Sequence, residues 1–477
     1  MGAILDFGHK LSQYLPEIKP PTRPPDVKER FIWTGIALLI FFLMYNVTAF
    51  GAADAGGQFD FLQMITASNL GSLLTTSIGP IVLASIFLQL FSGAGIIDLD
   101  PRDPKQKVKF QELQKVLAIV IALVEAAIFV MTGRVLLSDV LAPEIAMPLV
   151  VFQIAMGSVV VLYLDEVVTK YGIGSGISLF IAAGVSFSII GGAIGLIFGE
   201  TGVLGAMVGG GAEAIPTALI ILTPILMTVV VWIVVSYGEG VKVEIPLAYQ
   251  RARGMSPKLP LNLFYLSNIP VIFASALLMN VQLFAVAIGG LHFDVGGFDV
   301  VQLLGTVDAN NRLTDGLLYL ITPIYGAGQN TVAHINFIMH GVTPVFGIPE
   351  WIHAIVYVLF LSFVSVLFGK FWAETSNMDT KGMTDQLIQS GMQIPGWRTD
   401  RRMLEKILDK YIPPLIFLGS FLVGLLAGLA DLSGALGTGT GILLTVGIFY
   451  RTYQQLKRQK MLENAPFLNQ IIGDGGK

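Results

Sequence analysis

Glu125 is the one ionisable residue set well inside a long apolar run, LAIVIALVEAAIFVM. A charged side chain at the centre of a membrane helix costs about 2.5–3.5 kcal/mol on insertion scales, so such a group is a functional candidate by default. Two aliphatic pairs offer a different chemistry. Ile78 with Val82, and Ile177 with Ile181, stand four residues apart, which puts both members of each pair on one helix face. A ring of such groups gives water and ions no partner and can close a passage by dewetting. It also gives an unfolded chain moving past nothing polar to stick to. One such pair alone is ordinary helix packing. Catalysis finds no foothold. The glycine run YGIGSG lacks the preceding strand and βαβ setting of a dinucleotide site, and no phosphate-binding GxxxxGKS or GxxxxGKT occurs. His9, His292, His334, His340 and His353 show no metal-binding spacing. Cysteine is absent, which excludes disulfides, thiolate metal sites and a cysteine nucleophile. The expectation is no enzyme, no cofactor and no metal.

The elements that must position these groups are membrane helices. The chain has 477 residues, 54% hydrophobic but only 13% charged, with net charge -4 and mean hydropathy +0.72. Ordinary soluble domains carry about 25% charge. A spanning helix needs about 20 largely apolar residues, and ten stretches qualify or nearly so: 31–50, 77–92, 116–132, 146–164, 177–198, 216–237, 264–288, 352–372, 411–430 and 435–450. With loops assigned alternately, 27 of the 29 Lys and Arg fall on one face, and only Arg134 and Arg312 on the other. The positive-inside rule then places both termini in the cytoplasm and supports an even number of spans. The first thirty residues are polar and Pro-rich, unlike a cleavable signal peptide. The expected organisation is a cytosolic tail over 1–30, one half over 31–200, a second over 215–455, and a cytosolic tail over 456–477. Within the second half, 239–262 and 374–410 are cytosolic loops and 289–351 is a long outer loop, read as a folded cap.

The two halves echo each other. Ser77, Pro80, Ala84 and Ser85 recur as Ser267, Pro270, Ala274 and Ser275, at an offset of 190. Gly172, Gly174, Gly176, Ile177 and Leu179 recur as Gly437, Gly439, Gly441, Ile442 and Leu444, at an offset of 265. The first pair interrupts spans two and seven with proline; the second opens spans five and ten. Five spans per half is an odd number, so the second half is inverted relative to the first. After span one, residues 60–74 read DFLQMITASNLGSLL. The segment is too short to span and too apolar for a solvated loop, and Asp60 with Gln63 has capping-box spacing. Composition leaves two readings open: a half-length helix buried in protein, or one lying on the membrane surface.

The strings SIGPIV, YGIGSGISLFIAAGVS, SNIPVI, YIPPL and GTGTGILLTV, in this order and at these spans, resemble the SecY family of protein-conducting channels in its archaeal and eukaryotic-like branch. The resemblance implies an all-α polytopic membrane protein, with ten transmembrane helices in two inverted five-helix halves around a central pore and a short plug helix. It implies a pore ring of Ile78, Val82, Ile177, Ile181, Ile269, Ile272 and Leu444. It implies a plug that includes Phe61, Leu62, Met64, Ile65 and Leu70, which tips the open reading of 60–74 toward a buried helix. Spans two, three, seven and eight would form a lateral gate, bridged by Glu125 and Asn268. The family often has Gln where Glu125 stands, so the acid is a departure. Arg251, Arg253 and Arg398, with Arg401 beside them, would dock a ribosome. The implied function is passage of unfolded secretory polypeptides and sideways release of transmembrane segments, in a cell membrane. Implied partners are SecE-type and small beta-type single-span subunits, the ribosome, signal sequences and nascent polypeptides, membrane lipid, and SecD/SecF-type accessory proteins. Because no ATP site exists, the driving force must come from a partner. An inverted-repeat secondary transporter is the rival reading; the shortage of charge inside the spans speaks against it.

Overall fold

Each of the ten apolar stretches folds around a helix, and local chemistry sets where each one starts. The computed structural model describes residues 15–23, 25–53, 69–93, 96–97, 104–138, 141–199, 202–208, 214–246, 248–249, 258–288, 294–295, 298–299, 304–307, 313–324, 331–344, 346–389, 392–393 and 401–464. The long helices are α1 (Val27–Asn46), α2 (Gly79–Gly93), α3 (Pro104–Met131), α4 (Pro143–Tyr171), α5 (Gly176–Phe198), α6 (Thr223–Gly240), α7 (Ile269–Ile288), α8 (Glu350–Thr375), α9 (Ile412–Leu432) and α10 (Gly439–Asn464). Six helical runs among the described residues are long and apolar enough to cross a membrane; the apolar parts of α2 and α7 are shorter. The sixth span is broken: a helix over Ala214–Ile221 precedes α6, and Pro224 stands in the first turn of α6.

Pro80 and Pro270, read above as interruptions, are the second residues of α2 and α7. Proline is tolerated there because the first-turn N–H groups have no intrahelical acceptor. Ser77 and Ser267, three residues earlier, both adopt the left-handed region, with φ of 41° and 56°. The two halves therefore repeat the same kink at the same offset.

A second shared device opens α5 and α10. Asp165, near the end of α4, accepts the backbone N–H of Ile177 at 2.8 Å. Asp431, near the end of α9, accepts the N–H of Thr440 at 2.9 Å and the hydroxyl of Tyr357 at 2.7 Å. In each half a carboxylate from the preceding helix satisfies orphan donors at a helix start, where the dipole favours negative charge. The approach requires glycine. A methyl on Gly176 would lie 2.5 Å from Asp165 Cα, and one on Gly439 would collide with the backbone of Ala430 and Asp431.

One large apolar cluster joins residues of all ten long helices. Short antiparallel strand pairs sit outside it. Lys242–Pro246 pairs with Lys258–Asn262 between α6 and α7, and Ala248–Tyr249 pairs with Met392–Gln393. In the 7/8 connection the described residues form short strand pairs, a turn at Tyr319–Ile321 and a helix over Thr331–His340.

Candidate functional site

The helix starts carry the candidate ring. Ile78, whose carbonyl accepts the N–H of Val82, caps α2. Ile177 and Ile181 lie in the first turns of α5, Ile269 and Ile272 in the first turn of α7, and Leu444 in the second turn of α10. Ile78, Val82, Ile181 and Leu444 are buried, and Ile177, Ile269 and Ile272 are half-buried; all seven belong to or pack on the same apolar cluster. Sequence positions spread over more than 360 residues thus share one apolar cluster.

The polar candidates Glu125 and Asn268 do not hydrogen-bond to each other. Glu125 is buried on α3, and both of its carboxyl oxygens lack a hydrogen-bond partner among the described residues. Asn268 is buried immediately before α7 and donates its amide to the carbonyl of Leu443 on α10, at 2.9 Å. The reason is Gly447. With no side chain there, α10 comes close enough to receive both Asn268 and Glu239 from the end of α6. Arg451, one turn further along α10, acts electrostatically on Glu239. A polar node of Glu239, Asn268 and Arg451 thus sits where α6, α7 and α10 come together.

The plug candidates Phe61, Leu62, Met64 and Ile65 lie outside the described residues. Leu70 is buried in a second apolar cluster with Ala49, Ala126, Phe129 and Ile154. The flanks of the segment are tied to each other: Thr48 bridges Ser72, Ala49 N–H donates to Gly71 at 2.8 Å, and Leu73 N–H to Val47 at 3.0 Å. The chain therefore leaves and returns at one place.

Arg251, Arg253 and Arg398 also lie outside the described residues. The strand pair Ala248–Tyr249 with Met392–Gln393 joins the loops that carry them. Arg401 forms an exposed ion pair with Asp385, at 3.0 Å. Sequence reading missed the buried Glu239 and the half-buried Arg451 that acts on it, and it gave His353 no chemistry. His353 is fully buried against Glu350, at 2.9 Å; the Glu–His spacing of three in a helix start was the available signal.

A family model described as SecY matches residues 72–453. This chain belongs to the SecY family. The protein translocase subunit SecY of Methanocaldococcus jannaschii is 40% identical over 459 residues, covering 96% of this chain and 97% of the relative. A solved SecY-family structure described as a protein-conducting channel is similar with TM-score 0.78 at 38% identity, covering 96% of this chain and 98% of that one. Sec61 in a canine ribosome–channel complex from the endoplasmic reticulum gives TM-score 0.75 at 37% identity, with the same coverages. As a SecY-family member the chain is an all-α, multi-pass membrane protein of two inverted five-helix halves around a pore. The solute-transporter reading is not favoured by any of these likenesses.

Proposed function

We propose that this chain is the pore-forming subunit of a Sec channel, passing unfolded secretory polypeptides across the membrane and releasing transmembrane segments into lipid. The observation that supports the reading is that seven aliphatic side chains from the starts of α2, α5, α7 and α10 belong to or pack on one apolar cluster. Such a constriction seals against ions without holding a polypeptide. The likeness to a protein-conducting channel supports it. The chain performs no catalysis of its own. Glu125, with its unpartnered carboxyl, and Asn268 line the lateral gate in this reading, and residues 60–70 supply the plug. The arginine loops, joined by a strand pair, face the cytosol and dock the ribosome, as the ribosome-bound canine relative suggests. Both termini are cytosolic on the charge asymmetry of the loops. SecE-type and beta-type subunits cover part of the lipid-facing surface, and SecD/SecF-type proteins act as accessories. The test is ion conductance of vesicles holding the reconstituted complex. Replacing Ile78, Val82, Ile177 and Ile181 together with serine is expected to make the resting channel leak; conductance equal to the unmodified channel counts against the ring.

A further inference from the structure

The start of α8 holds a buried cluster that the channel reading does not use. Glu350 is the first residue of α8, and its side chain is 2% exposed. Its Oε1 accepts the hydroxyl of Tyr319 at 2.9 Å, and its Oε2 faces Nδ1 of His353 at 2.9 Å. The other ring nitrogen, Nε2, faces the backbone carbonyl of Thr322 at 2.8 Å. A neutral imidazole has one N–H and one acceptor nitrogen. Here both nitrogens face oxygens that serve as acceptors, so the cluster must hold one proton more than a neutral ring beside an ionised carboxylate.

Two features place that proton on the ring. Glu350 stands at a helix N-terminus, where the dipole favours the carboxylate, and it already accepts a hydroxyl. Burial and the Glu350 carboxylate push the Tyr319 phenol well above its ordinary value, so it remains a donor. The Tyr319 ring centroid is 4.3 Å from that of His353, and an aromatic face attracts a cation at such range.

We propose that Glu350, His353, Tyr319 and the Thr322 carbonyl form a proton-binding site that fastens the 7/8 connection to α8. Loss of the proton would set a nitrogen lone pair against an oxygen, break one bond, and free the turn at residues 319–322 from the helix. Among the described residues, the other ionisable groups on the elements packed around α8 are Asp315, Asp431, His334 and the exposed His340. Asp315 accepts the N–H groups of Gly316 and Phe346, and Asp431 of α9 takes the hydroxyls of Tyr357 and Thr440. Burial holds His334 of the 331–340 helix below its ordinary value, so it stays neutral.

The test uses the full chain in its complex, labelled with ¹⁵N-histidine; the chain has five. At neutral pH, one ring is expected to show two protonated nitrogens, and its signal is expected to vanish in His353→Gln. When all five rings are neutral at neutral pH, the proposal is overturned without any variant. Glu350→Gln is expected to turn the ring neutral at the same pH. Hydrogen exchange at residues 319–322, corrected for its intrinsic pH dependence, is expected to quicken by about tenfold to a hundredfold as the ring loses its proton, the range for a lost buried hydrogen bond. The same step persisting in His353→Gln would also overturn the site.

Discussion

Gly447→Ala is a one-carbon test of how α7 is seated on α10. A methyl at Gly447 would fall inside the contact distance of the Asn268 amide nitrogen, 2.8 Å from Asn268 Cγ and 2.7 Å from Glu239 Oε1. Carbon atoms pack best at about 3.5–4.0 Å, and the amide nitrogen is the nearest atom, so α10 must retreat by more than about 1 Å or the amide must swing away. Overpacking a dense interface costs about 1–3 kcal/mol. Swinging the amide forfeits its bond to Leu443 and leaves a buried donor unmade, again about 1–3 kcal/mol. The helix propensity of alanine returns about 1 kcal/mol. The expected net loss is about 0–2 kcal/mol by either route, and about 1–3 kcal/mol relative to an unobstructed glycine-to-alanine change that gains the propensity alone. The assay is denaturant unfolding of the purified protein, with Gly195→Ala as reference, because nothing lies within 4 Å of a methyl at Gly195. Adding Asn268→Ala to Gly447→Ala removes the main collision partner, so the two substitutions together are expected to cost less than the sum of the singles. Equal stability of Gly447→Ala and Gly195→Ala would refute the reasoning.

Asp431→Ala is expected to lower stability by about 1–2 kcal/mol, the usual cost of a lost cap. Asp165→Ala is expected to cost less, since Asp431 also holds Tyr357; unfolding midpoints in the reverse order would contradict this. Glu125→Leu combined with Asn268→Leu is expected to change the hydrophobicity that a signal sequence needs for insertion. An unmoved threshold across a graded signal series removes both residues from the gate. Reversing the charge of Arg251, Arg253 and Arg398 is expected to weaken ribosome binding and flatten its salt dependence. Binding with an unaltered salt slope would leave these arginines as topology signals alone.

Apolar runs and cation placement made the spans legible, because hydrocarbon thickness and loop charge act on composition directly. Pro80 and Pro270 were equally visible, yet their role was misjudged: proline marks a helix start as readily as a break, and only the turn at Ser77 and Ser267 distinguishes the two. The apolar helix starts of the proposed ring were readable in part, since Ile78/Val82 and Ile177/Ile181 each have the spacing of one helix face. Which faces converge depends on how the helices cross, and no local spacing records that. Asn268 was a reasonable partner for Glu125 by polarity. Its actual partner, Leu443, is set by the rotation of α10, and the absent side chain at Gly447 permits it. Glu350 and His353 lay three apart in plain view, but the carbonyl that completes their cluster comes from Thr322, outside α8.

The capping carboxylates of Asp165 and Asp431 serve helices that, in two inverted halves, run in opposite directions through the bilayer. A cap answers only to the polarity of the peptide chain, and the repeated kink at Ser77 and Ser267 is likewise blind to which compartment it faces. The internal architecture of each half therefore carries no record of inside and outside. That information resides in the loops, so an ancestral five-helix unit with neutral loops could have inserted either way up. Duplication would then need only a redistribution of lysine and arginine to fix one copy against the other.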